Sequence, residues 1–259
     1  MKILAQTACR SDFDLLSEVY RLLHVDSRFQ FGLVVSGAHL SRAFGSTAEI
    51  VRCSGLQIVA EIATLPDEDG YHVRPFSMAK LIQGLLPVAT AFAPDMLMAV
   101  GDREDALAVC VTGAYLKIPV AHFYGGDYGL TRDVDGHVRN ACSKLASVHF
   151  VALEEHKSRL VAMGETPERI HVVGSPALDA FCSVPKIPPE KLELPGGIKV
   201  PEGEPYAVML HHPSYASEEM GSEEAEMILT CLNDLNIWTA VGLPNVDAGS
   251  RSIIEIYRN

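Results

Sequence analysis

The chain has 259 residues, of which 48% are hydrophobic, and carries a formal net charge of −12 with a pI of about 5.2. That length holds one large or two modest domains with a substantial core, and the acidic balance excludes a general nucleic-acid binder, which needs clustered Lys and Arg. No apolar run reaches the roughly 20 residues of a membrane span, and Met1 to Thr7 lacks the basic start and long apolar stretch of a signal peptide.

The elements alternate from the first residue. Ile3 to Gln6 reads as a strand. Phe13 to Leu23 has helical spacing, with Leu15, Leu16, Val19 and Leu22 on one face and Ser11 or Asp12 as N-cap. Phe31 to Val35 is a buried-type strand closed by Ser36-Gly37, and Leu56 to Ile62 is another. Pro66 to Pro75 is a polar loop. Phe76 to Phe92 is a long helix, with a kink or break expected at Pro87. The pattern continues with Met96 to Val100 (strand), Glu104 to Leu116 (helix), Val120 to Phe123 (strand) and Val134 to Ala146 (helix). His149 to Ala152 (strand), Glu154 to Met163 (helix) and Ile170 to Val173 (strand) follow.

This β-α alternation with short links implies an α/β fold with a Rossmann-like, doubly wound parallel sheet, so residues 1–174 form a first domain. Residues 175–205, rich in proline and carrying Gly196-Gly197, read as an interdomain connection. A second β-α pattern occupies 206–259: Tyr206 to Leu210, Glu218 to Leu232, Ile237 to Val241 and Ser250 to Tyr257. Two strands and two helices are too few to close a doubly wound domain, so this second domain is expected to be cut short.

The chemistry-bearing residues collect where open α/β sheets bind ligands, beyond the carboxyl ends of strands. Gly101-Asp102-Arg103 follows the strand Met96 to Val100 and opens a helix. An unpaired buried carboxylate costs several kcal/mol, so Asp102 caps the helix, pairs, or does chemistry. Arg10-Ser11-Asp12 after the first strand suits an anion, or is a capped helix with Arg10 in solvent. His39 faces the crevice or lies at a surface helix start. Tyr124-Gly125-Gly126-Asp127 brings backbone close to a ligand, or only turns a loop. Asp135 and Arg139, four apart, form either a helix salt bridge or a pair aimed into the crevice. His211-His212 ends the first strand of the second domain, with no third ligand spaced for zinc. The six cysteines are scattered without C-x-x-C spacing and read as reduced cytosolic thiols.

The ordered string of these motifs resembles the nucleotide-sugar 2-epimerases, and within them the hydrolysing UDP-N-acetylglucosamine 2-epimerases of sialic-acid-type biosynthesis. The matching pieces are Thr7 to Phe13, Val35 to Ser41, Gly101-Asp102-Arg103 through Ala108, Ile118 through Gly125-Gly126-Asp127, and Val134 to Ala141. They continue with His149 to Ala152, Met163 to Asp179, His212-Pro213 and Pro244 to Arg251. The resemblance implies two Rossmann-like domains of glycosyltransferase-B type with the site in the cleft between them. It also implies elimination of UDP with loss of the sugar C2 proton, then water addition to give N-acetylmannosamine. Carried over by position, Asp102 and Asp135 match catalytic carboxylates and His212 the cleft histidine of the second domain. Arg10, His39, Arg103, Asp127 and Arg139 fall on the substrate side. No metal and no cofactor is implied. The expected partner is a nucleotide sugar, with no nucleic acid or membrane, in a cytoplasmic enzyme that is a homodimer in its full-length form.

Three departures stand out. Tyr124 stands where many members carry an acid, with Asp127 available to compensate. Glu104 and Asp105 stand where an aromatic and then Glu often follow Gly-Asp-Arg. The family's downstream uridine-diphosphate region is absent, so a truncated chain of poor or no activity is expected. Three other readings stay open: a hydrolysing epimerase on GDP-N-acetylglucosamine or a UDP-bacillosamine derivative, a two-domain glycosyltransferase, and an inactive fragment.

Overall fold

The computed structural model describes residues 1–44, 46–66, 70, 72–128, 134–188, 191–194, 197–212, 218–244 and 249–258. The sequence readings at Asp67 to Asp69, Gly129, Asp133, Pro213 and 245–248 lie outside these residues. Two compact units are present, Met1–Ser183 and Val184–Asn259.

The first unit is built on seven strands: β1 (Lys2–Thr7), β2 (Gln30–Ser36), β3 (Ile58–Ile62), β4 (Met96–Val100), β5 (Val120–Phe123), β6 (Val148–Val151) and β7 (Ile170–Val172). They pair in the order β3-β2-β1-β4-β5-β6-β7, every neighbour parallel. Helices α1 (Arg10–Val25), α2 (Ala48–Cys53), α3 (Val73–Phe92), α4 (Glu104–Leu116), α5 (Val134–Leu145), α6 (Glu154–Ala162) and α7 (Pro176–Ser183) belong to the same unit.

Side-chain alternation along each strand divides the interior into two cores. Ile3, Ala5, Leu33, Val35, Met98, Ala121 and Phe123 face one side and pack on Phe13, Leu16 and Tyr20 of α1 and Val51 of α2. Leu4, Val34, Leu97, Ala99 and Val120 face the other and pack on Leu81 and Leu85 of α3 and Val109 and Cys110 of α4. Both faces are covered, which is why these strands read as continuous apolar runs. The strand order reverses direction between β1 and β4. At such a switch point the loops leaving the two strands diverge and leave a crevice.

Several local expectations are corrected. Helix α1 starts at Arg10 with Cys9 as N-cap, because Asp12 at the third position folds back to accept from the backbone N–H of Ala8 (2.9 Å) and Cys9 (3.1 Å). Its buried stripe is Phe13, Leu16 and Tyr20, whereas Leu22 is exposed. Helix α3 runs unbroken through Pro87, held by the buried Leu81, Leu85 and Ala89 on both sides of it. It also begins at Val73, inside the stretch read as loop. Helix α7 lies within the proline-rich stretch read as a connection and packs against α1, so the first unit extends to Ser183.

In the second unit, β8 (Glu193–Leu194) and β9 (Ile198–Lys199) form a short antiparallel pair. β10 (Tyr206–Leu210) and β11 (Trp238–Gly242) pair in parallel and carry α8 (Glu218–Asp234) and α9 (Ser250–Arg258). Met209, Ala225 and Ile253 form the small core of this β-α-β-α unit. Among the described residues no helix is long and apolar enough to cross a membrane.

Candidate active site

A cavity of about 140 Å³ opens at the β1/β4 switch point, lined by Gln6, Cys9, Asp12, Asp102, Arg103 and Asp105 among others. Gly101 takes a left-handed backbone (φ 75°) directly after β4. It turns the chain so that Asp102 and Arg103 sit in the crevice before α4 begins. Arg103 is the N-cap of α4, with extended backbone.

Asp102 does not cap the helix. Its carboxylate accepts from the Arg139 guanidinium on α5. Arg139 also donates to the Tyr124 carbonyl (3.1 Å) and lies 3.2 Å from the Asp127 carboxylate. One rigid cation thus joins the loops after β4 and β5. Burial raises the Asp102 pKa above the usual carboxylate range; Arg139 acts against that rise and the nearby Asp135 adds to it.

Asp135 is tied to a second arginine. Arg74, at the start of α3, donates to Asp135 Oδ1 (2.6 Å) and to Glu104 Oε2 (2.8 Å). Burial works against the Arg74 charge, but the two carboxylates outweigh it and hold its pKa above the usual value. Asp102, Asp127, Asp135 and Glu104 therefore share two arginines in one charge network. Asp105, 8% exposed and lining the cavity, is different. Burial, with Glu104 and Asp12 beside it, pushes its pKa up to about 8.

Tyr124 adopts φ 63°, a left-handed conformation unusual for a bulky residue. It is fixed there by its N–H to the Phe150 carbonyl (3.0 Å) and by its hydroxyl against Ser175 Oγ (3.1 Å). Strain of this kind collects at functional sites. Here it aims the Tyr124 carbonyl at Arg139. Asp127 lies beyond it, with His156 Nε2 3.5 Å from its other oxygen.

The remaining expected site residues fall elsewhere. Arg10 is exposed at the start of α1, 4.0 Å from Asp14. His39 is fully buried, with Nε2 3.1 Å from Thr7 Oγ1 and Nδ1 2.8 Å from Thr47 Oγ1. Both ring nitrogens are occupied by threonine hydroxyls, so His39 braces the β1 and β2 loops and has no nitrogen left for a ligand. His212 is exposed in the second unit, just after β10. Among the described residues no three His, Cys, Asp or Glu side chains group as a metal site.

Sequence reasoning missed Arg74 and the fully buried His122. Pro75 was the available signal for Arg74, since proline favours the first turn of a helix and would have moved the start of α3 back. His122 lies inside the matching piece Ile118 to Asp127, but in an apolar strand it was given no role.

The family model for UDP-N-acetylglucosamine 2-epimerase matches residues 21–259. A hydrolysing UDP-N,N'-diacetylbacillosamine 2-epimerase of Legionella pneumophila is 30% identical over 98% of this chain and 67% of its own length. A UDP-N-acetylglucosamine 2-epimerase of Neisseria meningitidis is 29% identical over 98% of this chain and 65% of its own. The crystal structure of UDP-GlcNAc 2-epimerase from Neisseria meningitidis bound to UDP-GlcNAc superimposes with a TM-score of 0.79 at 15% identity, covering 100% of this chain and 70% of that one. The likeness establishes a shared fold, and the chain spans about two thirds of the length of these relatives. By the extent of the family match and by its identity to the Legionella enzyme, the chain belongs to the UDP-N-acetylglucosamine 2-epimerase family.

Proposed function

We propose that the protein is a hydrolysing nucleotide-sugar 2-epimerase that converts UDP-N-acetylglucosamine and water into UDP and N-acetylmannosamine. The observation that carries this reading is the Asp102–Arg139 pair at the β1/β4 switch point, beside the cavity and joined to Asp127.

The elimination needs a base for the sugar C2 proton while the C1–O bond to the diphosphate breaks. The C2–H electron pair becomes the C1=C2 bond, and the C1–O pair leaves on UDP. Asp102 suits the base: burial strengthens its hold on a proton, and Arg139 supports the charged form beforehand. Asp127, the half-exposed carboxylate after Tyr124, takes the acid position that Tyr124 does not fill. Asp135, held by Arg74, serves the second proton transfer, in which water adds hydroxide to C1 and a proton returns to C2 on the opposite face. Arg103 and the N-termini of α1 and α4 supply positive potential for the departing diphosphate.

Incubation of a full-length parent, carrying the downstream region that its relatives have, with UDP-N-acetylglucosamine, followed by proton and phosphorus NMR, tests the reading. Free UDP and N-acetylmannosamine in equal amounts are expected. UDP-N-acetylmannosamine without UDP release would make it a non-hydrolysing epimerase, and conversion only with an added acceptor a glycosyltransferase. A second substrate, UDP-N,N'-diacetylbacillosamine, is favoured by the Legionella relative. Faster UDP release from it would move the assignment there.

A further inference from the structure

Behind the site lies a buried histidine that the proposed chemistry does not use. His122 is on β5, fully buried, with Nε2 2.7 Å from the Gly101 carbonyl and Nδ1 3.2 Å from Ser143 Oγ. A carbonyl only accepts, so Nε2 carries the hydrogen and donates to Gly101. Burial lowers the His122 pKa to about 4, so above that pH the ring is neutral and Nδ1 is an acceptor facing the Ser143 hydroxyl. Ser143 lies one turn beyond Arg139 on α5, and its single hydroxyl hydrogen is shared between two acceptors, Nδ1 and the Arg139 carbonyl 3.0 Å from Oγ.

One imidazole thus spans the two halves of the Asp102–Arg139 pair. On one side it holds the carbonyl of the peptide that leads into Asp102. On the other it meets the helical turn that presents Arg139. Gly125 packs against the same ring: a Cβ there would stand 2.9 Å from Ser143 Oγ and 3.1 Å from His122 Nδ1. The space is closed around this one arrangement. We propose that His122 is a positioning residue, which sets the direction of the Asp102 carboxylate against Arg139 by fixing the Gly101–Asp102 peptide. The proposal rests on the reading of Asp102 as the base.

The charged and titratable groups around the assembly are Arg139 and Asp135 on α5, Arg103 beside Asp102, and His149 on β6 beside His122. Gln at 122 places an amide N–H near the position of Nε2, whereas Asn reaches only the position of Nδ1. The test is the carboxyl carbon-13 titration of Asp102 in the full chain without substrate, the resonance being assigned by its loss in Asp102→Asn. In His122→Asn the carboxylate loosens from Arg139, and its midpoint is expected to rise by about half a pH unit or more. In His122→Gln it is expected to stay near the parent value, and kcat to fall far less than in His122→Asn with KM unchanged in both. Equal midpoints in all three proteins, or equal shifts in both variants, would overturn the proposal. Should neither amide variant fold, Ser143→Ala leaves the ring in place and frees Nδ1. A smaller upward shift is expected there, and no shift overturns the role. Because the titration is read without substrate, its failure removes His122 from this role whatever the reaction, whereas failure of the parent to release UDP removes the reaction.

Discussion

Arg139 on α5 meets the Asp102 carboxylate beyond the end of β4, so the candidate base stands against a fixed cation instead of in open solvent. The same guanidinium reaches the Tyr124 carbonyl and Asp127. Two consecutive strand-end loops are therefore locked to one helix.

Asp102→Asn is expected to lower turnover by roughly 100-fold or more, the scale of a lost general base. Stability should change little, because Arg139 keeps Asp127 and the Tyr124 carbonyl. Turnover and thermal melting measured together check this. A variant that melts early yet keeps its activity per folded molecule would make Asp102 a structural residue.

Arg139→Met removes the cation that favours the charged form of Asp102. The sign follows from the causes of the shift: burial and Asp135 both raise its pKa, and Arg139 is the largest opposing influence. The acid limb of the pH–rate profile should therefore move to higher pH. Arg139→Lys should recover part of the shift but little of the rate, since an ammonium cannot bridge Asp102, Asp127 and a carbonyl with a planar fork. An acid limb that stays in place in Arg139→Met counts against Asp102 as the base.

Much of the fold was legible because its signals are local. Apolar runs bounded by turn residues gave β1 to β7, β10 and β11, though not the short β8 and β9 inside the proline-rich stretch, and Gly-Asp at the end of Met96–Val100 marked the crevice. What escaped depends on contacts between distant segments. Arg74 and Asp135 are 61 residues apart and meet only because α3 and α5 both begin at this end of the sheet. His39 carried a motif position, yet Thr7 at the end of β1 and Thr47 just before α2 enclose it. Helix α7 was hidden by neighbouring prolines, although a proline at its first position is compatible with a helix start.

Arg74→Met tests the second arginine. It strands Glu104 and Asp135, both mostly buried, beside each other and near Asp102. Removing one member of a buried charge network typically costs about 3–5 kcal/mol. Partial exposure of Arg74 places the expected loss just below that range, roughly 2–3 kcal/mol. Adding Glu104→Gln should restore part of it, and the double-mutant cycle reads the coupling directly. Additive losses would mean that the two groups do not interact in solution.

Limited tryptic digestion tests the division into units. Lys186 and Lys191 lie just past the limit at Ser183 and are exposed, whereas the strands of the first unit are buried on both faces. The first cuts are expected at these lysines, leaving an N-terminal fragment with its seven-stranded sheet intact by circular dichroism. Early cleavage at Lys117, next to β5, would contradict an independently folded first unit.

The dependence of stability on pH should expose Asp105. Its pKa is about 8 in the folded protein against an ordinary 3.8 for an aspartate, so between these limits the folded state binds more protons than the unfolded one. Stability from this group is complete below about pH 4 and is lost as pH rises through 8. His122 acts in the opposite sense. Its pKa falls from 6.5 to about 4 on burial, so its contribution is present above 6.5 and lost as pH falls through 4. His39 and His149 are lowered in the same direction, also chiefly by burial. Between 4 and 6.5 the opposing slopes partly cancel, and above 6.5 the Asp105 slope stands alone. Melting temperature should therefore decline from about pH 6.5 to 8 in the parent protein. Asp105→Asn, which cannot ionise, should flatten that decline and melt higher at pH 8, each 1 kcal/mol gained being worth about 2–4 °C in a protein of this size. A parallel decline in both proteins would show that Asp105 is already ionised at neutral pH and that its charge is compensated by Arg103, the one cation acting to lower its pKa.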